Sequence, residues 1–235
     1  MKRIIALLLA LTLCLVAFVS CADTNNDATL EEFAQMYKNS NPTKMVAKTT
    51  EVFGPLSFES TKILTIGTVT DAEGTKNAVI YDVLEEKLRS VEDGGKDEII
   101  KGTIESTHTI TLFVEGKGTK NIDTKTGKAV GNWNSKNSIN IPAKGDIALF
   151  FDADYITNCT YEDDTLSFVV PSNGTLSVFG MEINSNVSVS IVKEGAVIKG
   201  ITIRYTTPEN TETGVYDSSV EINISYSYDN EPITF

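Results

Sequence analysis

The sequence predicts an α+β protein built on one large, curled antiparallel sheet, a half-barrel of about nine to eleven strands packed against one or two helices. Three observations carry this expectation. Val220, Ile222, Ile224, Tyr226 and Tyr228 alternate without a break against Ser219, Glu221, Asn223, Ser225 and Ser227, the period of a strand with one buried and one wet face. Short Gly-, Asn- and Asp-rich turns separate several such stretches, which makes neighbours antiparallel. One early segment, Leu30, Phe33, Ala34 and Tyr37, repeats instead at helical spacing.

That helix opens with Thr29 and Glu32 at capping-box spacing and stops at Asn39-Ser40-Asn41-Pro42. Its single apolar stripe predicts packing on a sheet. Thr61 to Val69 is rich in β-branched residues, Asp71 to Asn77 reads as a turn, and Ala78 to Leu84 as the next strand; Leu84 to Val91 fits a helical turn or, the preferred reading, a long edge-like strand ended by Gly94-Gly95. Thr103 to Val114 places Ile104, Ile110, Leu112 and Val114 on one parity. Asp123 to Lys128 reads as a hairpin turn before Ala129 to Trp133. Between Asp146 and Ile156 the residues Ile147, Phe150, Phe151 and Tyr155 share a helical face and predict a second short helix. Strands follow at Leu166–Val170, Val187–Ile191, Ile201–Tyr205 and Val220–Tyr228, with turns at Ser172-Asn173-Gly174, Glu194-Gly195 and Pro208-Glu209-Asn210.

The first twenty residues read as removable. Lys2-Arg3 precede an apolar run from Ile4 to Val19, broken by Thr12 and Cys14, short for a membrane span and flanked as an export signal is. Phe18-Val19-Ser20-Cys21 resembles a bacterial lipobox, with Phe18 where leucine is usual. That resemblance implies a diacylglycerol on the Cys21 thiol, cleavage before it, and a protein held outside the cytoplasm on the cell membrane. The alternatives are an ordinary secretion signal or an uncleaved anchor. Residues 21–28 then form the lipidated cysteine and a polar tether, and 29–235 a single domain, long enough for a real core. Without the leader, 18 basic residues face 32 acids, a net charge of −14. Phosphate neutralisation needs the opposite balance, so the expected partners exclude nucleic acid.

The chemistry-bearing residues are sparse. His108 is the one histidine and sits among Ser106, Thr107 and Thr109, where a rim position is the plainer reading and a zinc constellation has no second ligand type nearby. Glu92-Asp93 with Asp97-Glu98, Asp152 with Asp154, and Glu162-Asp163-Asp164 carry oxygen ligands but lack a full calcium loop, so they read as solvated turns. Cys159, left alone once Cys14 and Cys21 are accounted for, reads as a small apolar residue. No phosphate loop, dinucleotide fingerprint or nucleophile elbow occurs. The expectation is a protein that is not an enzyme and needs no cofactor and no metal.

A leader with a lipobox, a polar tether, one amphipathic helix and a long meander together resemble the LolA-like and LppX/LprG-like half-barrel lipoprotein carriers. The segment Phe113-Val114-Glu115-Gly116 … Asp123–Lys128 … Trp133 and the ending Ile222–Tyr228 … Pro232-Ile233-Thr234-Phe235 are similar to small Firmicute lipoproteins of this shape. The resemblance implies an apolar cavity between sheet and helices that holds a lipid or other hydrophobic molecule, with no catalytic residue. Aromatic candidates for its lining are Phe33, Tyr37, Phe113, Trp133, Phe150, Phe168, Tyr205 and Tyr226; each of them also suits an ordinary filled core. A solid-cored interaction protein with no small-molecule ligand is the competing expectation.

Overall fold

The computed structural model describes residues 32–33, 35–36, 39, 42–54, 56–92, 101–135, 149–151, 156–174, 176–178, 181–211, 214–229 and 232–234. The leader, Cys21, the tether and Tyr37 lie outside the described residues.

β1 (Lys44–Phe53) and β2 (Leu56–Asp71) form a hairpin. β3 (Gly74–Glu92), β4 (Lys101–Val114), β5 (Gly118–Ile122) and β6 (Ala129–Asn134) carry the meander outward from it. A second arm holds β8 (Thr157–Glu162), β9 (Thr165–Val170), β12 (Val187–Glu194), β13 (Val197–Thr211) and β14 (Gly214–Ser227). β7 (Leu149–Phe151), β10 (Leu176–Val178) and β11 (Met181–Glu182) make a separate three-stranded sheet. The main sheet has 11 strands in the order β6-β5-β4-β3-β2-β1-β14-β13-β12-β9-β8. The first and last strands therefore meet at its middle, from Lys44 opposite Ser227 to Phe53 opposite Ser218.

Both free edges are bulged. The β5–β6 ladder shifts register between Thr119 and Asn121, and the β8–β9 ladder between Thr157 and Thr160, where Asn158 takes φ 53°. A bulged edge is a poor template for another strand, which protects a sheet this large from pairing with its own copies.

The α+β expectation is overturned. Among the described residues the delimited elements are strands, and helical backbone is seen at Glu32, Phe33, Gln35, Met36 and Asn39. The cover that helices were expected to give the sheet comes in part from the small second sheet, whose Leu176 and neighbouring Ile183 join the core with Phe33. The second helix expected over Asp146–Ile156 is corrected at its described residues. Leu149, Phe150 and Phe151 are strand β7, paired with Val178, Ser177 and Leu176, and a short contiguous apolar run suits a strand as well as a helix. Two turns also differ from expectation. The β2–β3 ladder closes on Asp71 opposite Gly74, leaving Ala72-Glu73 as a two-residue turn; Gly74 at φ 117° supplies the backbone freedom. Pro208 to Asn210 are part of β13, opposite Asp217 to Val215. β12 pairs with β13 only up to Tyr205, so Pro208 stands on a local edge, where a missing N–H is tolerated.

Two apolar clusters lie on opposite faces of the main sheet. Strand parity sends Met45, Ala47, Val79, Phe113, Phe168, Val189, Ile203, Ile222 and Ile224 to one side, here the inner face, all buried in one cluster. The alternate residues Val69, Ala78, Leu112, Val114 and Ile122 form a second cluster on the outer face of β2–β5. Ile233 covers it, anchored by its N–H to the Thr68 carbonyl at 3.2 Å. Each fully buried Ile or Val contributes about 1.5–3 kcal/mol relative to exposure.

Candidate ligand-binding cleft

The inner face changes character along β1. Its inward positions run Met45, Ala47, Thr49, Glu51 and Phe53, opposite Tyr226, Ile224, Ile222, Val220 and Ser218 of β14. On the β14 side the face stays apolar through β13, β12 and β9. On the β2 side it turns polar as the strands rise: Leu64 opposes Met45, but Lys62, Ser60 and Phe58 oppose Ala47, Thr49 and Glu51.

A cleft of about 390 Å³ opens where the two halves meet. Its apolar floor comes from Val220 and Ile222 of β14, with Tyr205 of β13 on one side and Phe58 of β2 on the other. Thr49 and Ser60 line its middle, and Glu51, Lys62, Glu85 and Lys87 bring charge to its walls. The opening has a backbone cause. The β2–β3 ladder ends at Ser60 opposite Glu85, although both strands continue beyond that pair. Side chains bridge the parting strands: the Glu59 N–H donates to Glu86 Oε2 at 3.1 Å, and the Glu86 N–H donates to Ser60 Oγ at 3.3 Å.

Glu51 is the fixed charge of the cleft. The hydroxyl of Ser218, fully buried at 0% exposure, donates to Glu51 Oε1 at 2.6 Å, a short bond of the charge-assisted kind. Lys87 pairs with Glu85 at 3.0 Å. Tyr81, on the same face of β3, has its phenol pushed above the usual value by burial and then by the charge of Glu85.

A broader groove of about 800 Å³ crosses the outer face over β1, β12, β13 and β14. Two of its lining residues, Arg204 and Glu221, form an ion pair that Asn223 and Thr202 extend. Arg204 Nε donates to Glu221 Oε2 at 2.6 Å, the Asn223 amide donates to Glu221 Oε1 at 2.6 Å, and the Thr202 hydroxyl donates to Asn223 at 2.9 Å. The Asn223 amide first, then Arg204, holds the Glu221 carboxyl below its ordinary value. Both charged groups of this groove's lining, Arg204 and Glu221, are thus paired with each other.

The aromatic residues singled out from the sequence scatter. Phe33, Phe113, Phe168 and Tyr226 are buried in the inner-face cluster. Phe33 is held at the far arm, its ring edge-to-face with Tyr161 at 5.7 Å and the Lys193 ammonium 5.4 Å from its centroid. Tyr205 stands in the cleft wall. Trp133 packs beside the outer-face cluster, with the Lys120 ammonium 5.4 Å from its ring. Phe150 has its backbone in β7, and Tyr37 and Cys21 lie outside the described residues. Phe58, Glu51, Val220 and Ile222 were not singled out as lining. The signal that marks them is the run Met45, Ala47, Thr49, Glu51, where polar residues take over a buried parity.

The remaining chemistry-bearing residues are dispersed. His108 is on the outer face opposite Leu84, with Nε2 2.8 Å from Asp82. Cys159 is half-buried on β8 and packs against the inner-face cluster. Among the described residues no three His, Cys, Asp or Glu side chains gather as a metal site.

No family model matches the chain, and no curated protein matches it either. Among solved structures it is similar to a DUF1329 family protein from Desulfovibrio piger, at 9% identity and a TM-score of 0.25, over 86% of this chain and 92% of that one. It is also similar to a domain described as an outer membrane lipoprotein-sorting protein from Vibrio parahaemolyticus, at 11% identity and a TM-score of 0.24, over 86% of this chain and 93% of that one. Scores of this size transfer no residue role to this chain.

Proposed function

We propose that this chain is an extracytoplasmic lipoprotein, anchored to the cell membrane through Cys21, that binds a lipid or other hydrophobic small molecule in the inner-face cleft and catalyses no reaction. The observation that carries the reading is the cleft itself. An apolar floor of Val220, Ile222, Tyr205 and Phe58 lies under charged walls, and its volume falls in the range of about 300–1,000 Å³ typical of small-molecule sites. The leader and lipobox of residues 1–21 supply the case for the anchor. Native mass spectrometry of the mature exported protein, released from membranes, tests the ligand. A co-purified apolar species, lost in a Thr49→Trp variant whose indole fills the cleft, is the expected result. A ligand-free protein that binds no apolar dye would overturn it.

A second reading, a solid-cored interaction protein, is favoured by one specific observation. The inner face of the second arm is filled: Leu166, Val187 and Ile203 are each 0% exposed. A face packed this closely favours a ligand, if held, in the cleft beside it rather than along the second arm.

A further inference from the structure

Taking the cleft as the ligand site, we propose that its occupant is a single-chain amphiphile with a cationic ammonium head. At about 390 Å³ the cleft lies near the low end of small-molecule sites, which suits one chain rather than the two or three of a membrane lipid. The head is assigned by Glu51. In register, Glu51 stands directly between Phe58 of β2 and Val220 of β14, with Tyr205 next across the sheet from Val220. A carboxylate thus projects from an apolar, partly aromatic floor. Ser218 takes one of the roughly four hydrogen bonds a carboxylate accepts, and it does so from beneath, as a fully buried residue.

An ammonium beside Glu51 meets the carboxylate, with the Phe58 ring one strand away on β2. An anionic head in the same place meets the Glu51 charge instead. Of the other charges lining the cleft, Lys87 pairs with Glu85 at 3.0 Å, the Glu86 carboxylate accepts the Glu59 N–H, and Lys62 stands opposite Ala47, four residues along β1 from Glu51. The rest of the molecule adds the same sign, at 20 basic against 32 acidic residues, so its long-range field gathers cations and repels anions.

The test uses the mature exported protein and three probes sharing one dodecyl chain: dodecyltrimethylammonium, dodecyl maltoside and dodecyl sulfate, each below its micelle concentration, by titration calorimetry. The expected result is one-to-one binding of the ammonium probe at least about tenfold tighter than the sulfate probe. Glu51→Gln, which keeps an acceptor for the Ser218 hydroxyl, is expected to remove that preference and leave dodecyl maltoside binding unchanged. Glu221→Gln on the outer face is expected to leave the preference intact, which separates a site from general attraction to an acidic protein. Sulfate binding as tight as ammonium binding, or a preference that survives Glu51→Gln, overturns the assignment of the head while the cleft reading stands. Failure of all three probes to bind overturns both.

Discussion

Replacing Ile233 by alanine removes three carbon atoms from the outer-face cluster and leaves the backbone bond to Thr68 in place. Ile233 is 7% exposed and packs with Val69, Ala78, Leu112, Val114 and Ile122. At about 0.8 kcal/mol per buried carbon the transfer loss is about 2.4 kcal/mol. A residual cavity adds to this, within the roughly 2–5 kcal/mol seen for Ile-to-Ala changes. The low end applies here, because the segment carrying Ile233 lies on the surface and can settle inward. The expected ΔΔG is therefore about 2–3 kcal/mol, a fall in Tm of about 4–12 °C for a chain of this size. Urea unfolding followed by circular dichroism measures it as a lower midpoint at unchanged slope. Val130→Ala, at a site 46% exposed on β6, is the control and is expected to change stability by less than about 0.5 kcal/mol. An Ile233→Ala effect no larger than that of the control would refute the claim that the C-terminal segment seals the second cluster.

Thr43 ties the start of β1 to the chain leaving β14, its hydroxyl donating to the Asp229 carbonyl at 2.6 Å and its N–H to the Ser227 carbonyl at 2.8 Å. Thr43→Val is expected to lower stability by about 1 kcal/mol in the same unfolding assay, and no change would show that the hydroxyl bond adds nothing. Acid is expected to weaken the fold. Asp71 is held below its usual value chiefly by Lys117, Asp123 chiefly by the Thr126 hydroxyl, and Glu221 by Asn223 and Arg204. Each contributes stability that is complete above the ordinary carboxylate value and is lost as pH falls through the depressed folded one. The urea midpoint at pH 3 should therefore lie below that at pH 7, and equal midpoints would contradict the sign. In hydrogen exchange, amides of β1 and β14 at the sheet centre should be among the slowest. Amides of Lys101–Ser106, paired to β3 beyond the end of its ladder with β2, should exchange far sooner. Equal protection in both places would count against the centre as the last part to open.

Alternation was most legible where both sides of a strand are decided. Val220 to Tyr226 reads in the sequence as it stands in β14, one parity buried and the other wet. The short strands were not legible, because Leu149-Phe150-Phe151 in β7 spans too few residues to show a period and was absorbed into a helical pattern with Tyr155. Pro208 misled for the opposite reason: it is a turn residue by type, yet it stands where β13 has lost its neighbour β12. The cleft was invisible in any single segment. Glu51 and Ser218 meet across 167 positions of sequence, and only the β1–β14 register makes them one feature. The outer-face cluster was hidden likewise, since Ala78 and Val79 are both buried, on opposite sides of one strand.

Strand length explains why an opening exists at that one place. The β1–β2 hairpin turns at Gly54, which takes φ 57°. Its neighbours run on: β3 continues for seven residues past Glu85, to Glu92, and β13 for six past Tyr205, to Thr211. At about 3.3 Å per residue each extension reaches about 20 Å, set against a hairpin that has only four β2 residues above Ser60. Neighbouring strands rotate by about 20–25°, so two long hairpins flanking a short one diverge, and the ladder between β2 and β3 parts. Beyond that point, among the described residues, Gly102 to Thr109 are exposed on both faces of β4, while Phe53 and Ser218 by the β1–β2 turn stay buried. Thr49, Glu51, Ser60 and Glu85 stand at positions whose parity lower in the sheet belongs to Met45, Leu64 and Val79. The same parting of β2 from β3 leaves Val220, Ile222 and Phe58 beside a charged wall, which is the arrangement an amphiphile requires.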